Sequence, residues 1–481
     1  MRRLLTLAVA ALPLAGCANM HGLFTTAHVT DADTLEASRT LAANAPGGAA
    51  APWPATDWWR QFGDPQLAAL IEEGLAQSPD LKIAQARIAK AGALAAQARG
   101  KLAPDISADL NVSRQRFSET YIYPPPFGGQ WYTQSQLQLN LDYDFDFWGK
   151  NRAAYDSELG KFRAAEVDAF ASRLMLSASI AHAYVQLQHT YDRLDIAQAL
   201  LKQREDLLEL TRQRVDAGLD SQVDLKQAEA MVPVSQQQIA QIGETIALTR
   251  NQLAALLGRG PDRGLAIERP HAQRPAAAAL PAAVPAELIG RRPDVIAQRW
   301  RVEAAAKDID VAKAQFYPDV NLVAFIGFQS LGLSDLLQYG SRALGVGPAV
   351  SLPIYAGGQL RANLAGKNAD YDIAVEQYNQ TLVDALHDVV DQLASLRSAG
   401  TQRAELDRGI ATAREAYDLA QSRYRAGIDN YLQVLAAQGA LLAQMDLDAD
   451  LHARELDLAI DLIRALGGGF DNPAVAAAPP S

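Results

Sequence analysis

From Gln136 to Phe147 polar and apolar positions alternate without a break. Leu137, Leu139, Leu141, Tyr143, Phe145 and Phe147 fall on one side, and Gln136, Gln138, Asn140, Asp142, Asp144 and Asp146 on the other. An earlier run sets Ile106, Ala108, Leu110 and Val112 against Ser107, Asp109, Asn111 and Ser113. Period two over such lengths predicts strands. The aromatic and Pro-rich stretch from Tyr121 to Gly129 between them predicts a hairpin over about 106–147. The flanking stretches are rich in Ala, Leu, Lys, Arg and Gln and predict helices over 80–103, 152–214 and 219–257. The second runs 63 residues with no Pro and with Gly only at Gly160, so its helix would be about 95 Å long at 1.5 Å per residue. The outer two, of 24 and 39 residues, together equal the middle one.

The whole pattern occurs twice. Pro79-Asp80 and Pro104-Asp105 return 214 positions later as Pro293-Asp294 and Pro318-Asp319. Gly149, Arg152, Ala217-Gly218, Asp220 and Leu257-Gly258 return 209 positions later as Gly358, Arg361, Ala426-Gly427, Asp429 and Leu466-Gly467. The drop from 214 to 209 places a loss of about five residues in the second hairpin. Duplication therefore predicts a first repeat over 56–264 and a second over 291–470. The second has its hairpin over about 320–354 and helices over 294–317, 361–423 and 428–466. A Pro- and Ala-rich linker, 265–290, joins the copies, and the similar tail 471–481 is expected to be mobile. The fold class is thus mainly α with membrane β.

Charge and cysteine content change the picture at the N-terminus. Arg2 and Arg3 precede the apolar run Leu4 to Leu14, then Ala15, Gly16 and Cys17. A run of about 11 residues falls well short of the roughly 20 that a spanning helix needs, so residues 1–16 read as a secretory signal peptide. Leu14-Ala15-Gly16-Cys17 resembles a bacterial lipobox. Cys17, the only Cys in the chain, is the expected lipidation site, followed by an extended arm over 17–55. Ala18, in place of an Asp, favours the outer membrane. No later helix is apolar for long enough to cross a bilayer, so any crossing must be a β-barrel. The formal net charge of -11 excludes a general phosphate-neutralising surface, and with it nucleic acid as a partner.

Four strands cannot close a membrane barrel, whose smallest form has about eight. Three copies supplying 12 strands are the simplest closed solution, and Tyr121, Tyr123, Phe127, Trp131 and Tyr132 near the strand ends suit a membrane interface. The Ala-rich rods could line a hollow helical barrel or pack as a solid coiled coil.

The stretches Trp58-Trp59-Arg60-Gln61-Phe62-Gly63-Asp64-Pro65, Arg291-Arg292-Pro293-Asp294, Phe316-Tyr317-Pro318, Leu352 to Arg361 and Leu466-Gly467-Gly468-Gly469 resemble the signatures of the TolC-like outer membrane factors, in their NodT-type lipoprotein branch. The resemblance implies a homotrimeric outer membrane channel with a 12-stranded β-barrel continued by a periplasmic α-barrel. It further implies a periplasmic membrane fusion adaptor and an inner membrane pump of the resistance-nodulation-division type as partners, with membrane lipid around the barrel. The family's gate lies at the periplasmic helix ends, which places the candidates Arg414, Tyr417, Asp418, Gln421 and Arg423 here. Relatives carry an acidic residue in this turn of helix, and both Asp418 and Gln421 are positions for it. The turns at Gly218 and Gly427 match the tips that adaptors grip, and left-handed helix caps also call for Gly there. Asp142, Asp144 and Asp146 read as an acidic row in the lumen or at its rim.

No catalytic constellation and no cofactor site is legible. His182 and His189 are two turns apart with no His-Glu-x-x-His pattern, and Gly258-Arg259-Gly260-Pro261 lacks the Lys-Ser/Thr of a phosphate loop. The competing readings are a periplasmic adaptor or scaffold lipoprotein and an outlet for type I protein secretion. Duplication argues against the first, and nothing in the sequence separates the second.

Overall fold

The computed structural model of the chain describes residues 20–31, 34–37, 39–41, 52–122, 124–275 and 290–471. The signal segment, Cys17, Tyr123, the linker after residue 275 and the tail after Asp471 lie outside them. The chain divides into two compact units that cut across the repeats. The first takes Arg87–Glu166 and Ala297–Asn379 together with the start of the arm; the second takes Thr30–Ala86, Val167–Ile296 and Gln380–Ser481.

Corresponding helices of the two repeats have equal lengths. Helices α2 (Pro79–Gly100) and α6 (Pro293–Ala314) have 22 residues each. Helices α3 (Lys150–Asp216) and α7 (Gln359–Arg425) have 67, and α4 (Gln222–Leu256) and α8 (Tyr431–Ala465) have 35. The expected ends differ by a few residues, each for a local reason. After α2 the amides of Lys101, Leu102 and Ala103 bond three residues back, tightening the last turn before Pro104, which disfavours helical geometry in the residue before it. Helices α4 and α8 start late because Ser221 and Asn430 first take extended backbone and cap the new helix with their side chains. Two short helices were not expected. One is α1 (Pro65–Gln77), capped by Asp64; the other is α5 (Asp262–Leu265).

The first unit holds one antiparallel sheet of four strands in chain order: β1 (Asp105–Arg116), β2 (Trp131–Asp144), β3 (Asp319–Leu331) and β4 (Arg342–Ser351). Residues directly opposite share a face, so the register sorts every side chain. Ile106, Ala108, Leu110 and Val112 line up with Leu141, Leu139, Leu137 and Ser135, then with Ala324, Ile326, Phe328 and Ser330, and on to Val346, Leu344 and Arg342. The other face carries Asp105, Asp109, Asn111, Asp142, Asn140, Gln138 and Gln136. On β3 this second face bears Phe325, whose ring covers Gly345 of β4 so closely that a Cβ there would lie 2.6 Å from it. An aromatic over a strand glycine restores packing that the glycine itself cannot give.

Below the sheet in the same unit, Gly160 of α3 admits Ala304 of α6, with an added Cβ only 3.1 Å from the Ala304 methyl. The Arg163 guanidinium lies over the Trp300 ring at 4.5 Å. Met20 and Leu23 of the arm pack on Ile309, Phe316 and Leu364, and the backbone amides of Thr26 and Ala27 donate to the Asp372 carboxylate at 3.0 and 3.1 Å.

In the second unit Trp58, Phe62, Leu67, Ile71, Ile180, Tyr184, Leu253, Leu257 and Ile460 form the main core. The first part of the expected linker belongs to it. Ile267 and Ala272 are buried, the Gln273 amide donates to the Phe62 carbonyl at 2.8 Å, and Arg269 bridges Asp192 and Asp195 at 2.8 Å each.

Candidate functional site

The sheet offers one surface with functional character. Its two edge strands, β1 and β4, are unpaired on their outer sides among the described residues. Strands of 10 to 14 residues match the length that crosses a bilayer in a tilted barrel. The apolar face is open: Ile106, Leu110, Leu139, Ile326, Leu344, Val346 and Val350 are all more than half exposed. Aromatic side chains stand at both ends. At the hairpin end Tyr132 packs between Phe117 and Phe127, at 5.7 and 5.6 Å, while Trp131 and Tyr121 are exposed. At the helix end Tyr143, Phe145 and Phe147 form a chain of ring contacts, and Trp148 stacks on Tyr317 at 4.6 Å.

Of the acidic row, Asp142 faces the polar side, directly opposite Asp105. Asp144 shares that face and pairs with Lys150 at 3.2 Å while accepting from the Asn151 side chain at 2.8 Å. Asp146 lies beyond the end of β2 with a positive φ of 46°, and its two carboxylate oxygens accept from the amides of Asn151 and Arg152, each at 2.9 Å. Two of the three therefore organise the start of α3. The sequence pattern extended the strand too far because Phe145 and Phe147 continue the alternation through that turn.

In the second unit the paired helical turns repeat atom for atom. The Leu219 amide donates to the Arg214 carbonyl and the Gly218 amide to that of Val215, at 2.8 and 2.9 Å. Ile428 and Gly427 do the same with Arg423 and Tyr424, at 3.0 and 2.9 Å. Both are Schellman caps, with Gly218 at φ 74° and Gly427 at φ 71°. Each turn is also clasped by an ion pair. The Arg214 guanidinium donates to both oxygens of Asp220, at 2.7 and 2.8 Å, and Arg423 pairs with Asp429. These hydrogen bonds hold the Asp220 and Asp429 carboxyls below the usual carboxylate range. Arg214 was not singled out from the sequence, although the offset of 209 residues that relates Gly218 to Gly427 also relates it to Arg423.

The remaining gate candidates lie on the last turns of α7. Arg414 and Asp418 are exposed, and Tyr417 and Gln421 half-buried. Tyr424 meets Tyr431 ring to ring at 5.1 Å. The Tyr431 hydroxyl is pushed up by burial and by Asp206, Tyr417 and Tyr424 nearby. Among the described residues Asp418 forms no ion pair. Of the five candidates, Arg423 alone is engaged by an acid, and that acid sits in its own turn.

The family model for outer membrane efflux proteins matches the chain twice, over residues 70–259 and 284–468. The chain belongs to the outer membrane efflux protein family. One match falls on each repeat of the sequence, the second starting inside the expected linker. The fusaric acid resistance protein FusA of Burkholderia cepacia is 40% identical over 371 residues, which cover 76% of this chain and 69% of FusA. The multidrug resistance outer membrane protein MdtP of Escherichia coli is 32% identical over 430 residues, 87% of each chain. Among solved structures, the outer membrane protein VceC of Vibrio cholerae aligns with a TM-score of 0.80 at 40% identity, covering 87% of this chain and 100% of that one. The fold is that of the TolC-like outer membrane channels, and the protein is an outer membrane efflux channel.

In this channel the signature stretches are mostly structural. Trp58, Trp59 and Phe62 are buried, and Asp64 accepts from the Gln66 amide, the Tyr184 hydroxyl and the His271 amide at 2.8, 2.7 and 2.9 Å. Arg292 is a buried cation that meets Asp294 and Asp388 at 2.6 and 3.1 Å and reaches the Ala465 carbonyl at the end of α8. Gly467, Gly468 and Gly469 all have positive φ, and a Cβ on any of them would come within 2.3 Å of a neighbouring atom.

Proposed function

We infer that this channel works as a homotrimer, acylated at Cys17 in the outer membrane, and serves as the exit duct of a tripartite efflux system for small molecules. The observation that carries the reading is the four-stranded sheet with two open edges, one face apolar over its central rows and one polar, acid-bearing face. Such a sheet satisfies its edges in lipid only by closing with other copies, and three copies give the 12 strands of a barrel with a water-filled interior. The turns at Gly218 and Gly427 are the docking tips for a periplasmic membrane fusion adaptor. Cargo reaches the duct from an inner membrane pump of the resistance-nodulation-division type. Arg414, Tyr417, Asp418, Gln421 and Arg423 form the gate, with the free carboxylate of Asp418 as the group that another copy engages. FusA and MdtP carry resistance in their names, which supports small-molecule cargo over secreted protein.

The test is single-channel conductance of the purified protein in a planar bilayer, paired with its mass in detergent, before and after Asp418→Ala. A mass of three chains and a small conductance that rises in the variant are expected. A trimer whose conductance ignores the substitution moves the gate elsewhere. A monomer without conductance sinks the homotrimeric assembly.

A further inference from the structure

The sheet separates charge by sign as well as by polarity. Its five carboxylates, Asp105, Asp109, Asp142, Asp144 and Asp319, all fall on the polar face. Its three cations, Arg114, Arg116 and Arg342, all fall on the apolar face. A cation on a lipid-exposed face costs about 2–4 kcal/mol at the bilayer midplane and little near the headgroups. All three stand where that cost is least, at the hairpin end of the sheet. Arg114 and Arg116 close β1, and Arg342 opens β4. The opposite end of the same face carries Ile106, Tyr143, Val320 and Val350 and no cation.

The asymmetry has a second element. Arg114 and Arg116 lie on one open edge of the sheet and Arg342 on the other. Within one chain two strands separate them, an edge-to-edge span of roughly 14 Å at about 4.8 Å per strand. Closure of the barrel would bring the hairpin end of β4 in one copy beside the hairpin end of β1 in the next, and with them the same groups onto adjacent strands. Arg342 stacks over Tyr339 at 3.2 Å and donates from Nε to the Tyr339 carbonyl, which ties the fork to the turn before β4. Arg116 is held by Glu119 at 2.7 Å, whereas Arg114 and Arg342 form no ion pair among the described residues. All three are exposed, with Trp131 at 60% exposure beside them.

We propose that Arg114, Arg116 and, across the seam between two copies, Arg342 form a binding site for the phosphate groups of the phosphorylated glycolipid in the outer leaflet. The planar guanidinium fork suits a phosphate oxygen pair, and the apolar face directly below receives the acyl chains. The site rests on the trimeric channel reading and is incomplete without a second copy.

The full-length protein in detergent, titrated with bisphosphorylated lipid A and followed by native mass spectrometry, tests it. The wild type should take up one lipid per seam. The R114Q/R116Q/R342Q variant should keep the trimer mass and the bilayer conductance while its apparent affinity falls roughly ten-fold or more. Lipid A stripped of its phosphates should bind the wild type as weakly as the intact lipid binds the variant. R342Q alone removes one fork per seam without touching β1 and should give an intermediate loss. Equal binding by wild type and variant, or phosphatidylglycerol binding as tightly as lipid A, would overturn the site while leaving the channel intact. A monomeric wild type would overturn the trimeric reading instead.

Discussion

Arg292 shows how a family signature becomes a stability device. Its guanidinium is buried, and although burial opposes the charge, the hydrogen bonds and charges of Asp294 and Asp388 outweigh it and hold the pKa above its ordinary value. Arg292→Ala should cost about 1.5–3 kcal/mol, the range for hydrogen bonds to charged groups. Arg292→Lys should recover only part, because one ammonium cannot span both carboxylates and the Ala465 carbonyl; thermal midpoints of the three proteins settle this. His182 on α3 makes a comparable but titratable link to α8. It stands 2.7 Å from Asp457 and 3.4 Å from Asp461. Burial opposes its charge, but the two carboxylates outweigh burial and raise its pKa from 6.5 to about 9. Folding therefore favours the protonated ring. The stabilisation is complete below about pH 6.5 and is lost as pH rises through about 9. The gap in thermal midpoint between wild type and His182→Asn should accordingly be largest at pH 6 and close by pH 10. A gap that widens with pH would mean that the neutral ring is the stabilising form.

Glycines with similar backbone angles should behave differently according to what surrounds them. Gly218 caps α3 at φ 74° with nothing within 4 Å of an added Cβ, so Gly218→Ala should cost only the left-handed conformation, about 1–2 kcal/mol. Gly467 follows α8 at φ 86°, and its Cβ would lie 2.0 Å from the Arg291 carbonyl oxygen. Gly467→Ala should therefore exceed the Gly218→Ala loss in the same denaturation experiment; equal losses would show that the close approach relaxes freely. On β1 the alternation makes a parallel contrast. Leu110→Arg places charge on the apolar face and should reduce stability in lipid by about 2–4 kcal/mol, whereas Asn111→Arg, one residue on, should be nearly neutral. These elements were legible in the sequence because runs of helix formers without Pro, and strict alternation, each allow one structure. Their ends were not, since they depend on caps such as Ser221 and Asp146 that bond to backbone rather than follow a period. Helix α1 was missed although Asp64-Pro65, a cap followed by a proline at the first helical position, announced it. The Arg214–Asp220 clasp was hidden for another reason: ion pairs within a turn leave no periodic trace, and only comparison of the two copies exposes them.

The closed assembly gives the polar face its meaning. Asp105 and Asp142 are directly opposite on neighbouring strands and both exposed, an arrangement that destabilises a sheet through like-charge repulsion. In the trimeric barrel proposed above, the same pair would recur three times around a common aqueous interior. Asp105→Asn with Asp142→Asn should therefore move two measurements in opposite directions. The reversal potential in a KCl gradient should shift toward zero as cation preference is lost, while the trimer's thermal midpoint stays level or rises. At about 1 M salt the screening length falls to about 3 Å, so wild type and variant should converge both in selectivity and in thermal midpoint. If the double variant instead unfolds earlier and keeps its cation preference, the pair is a structural contact with a bound counter-ion, and selection of charge lies elsewhere along the duct.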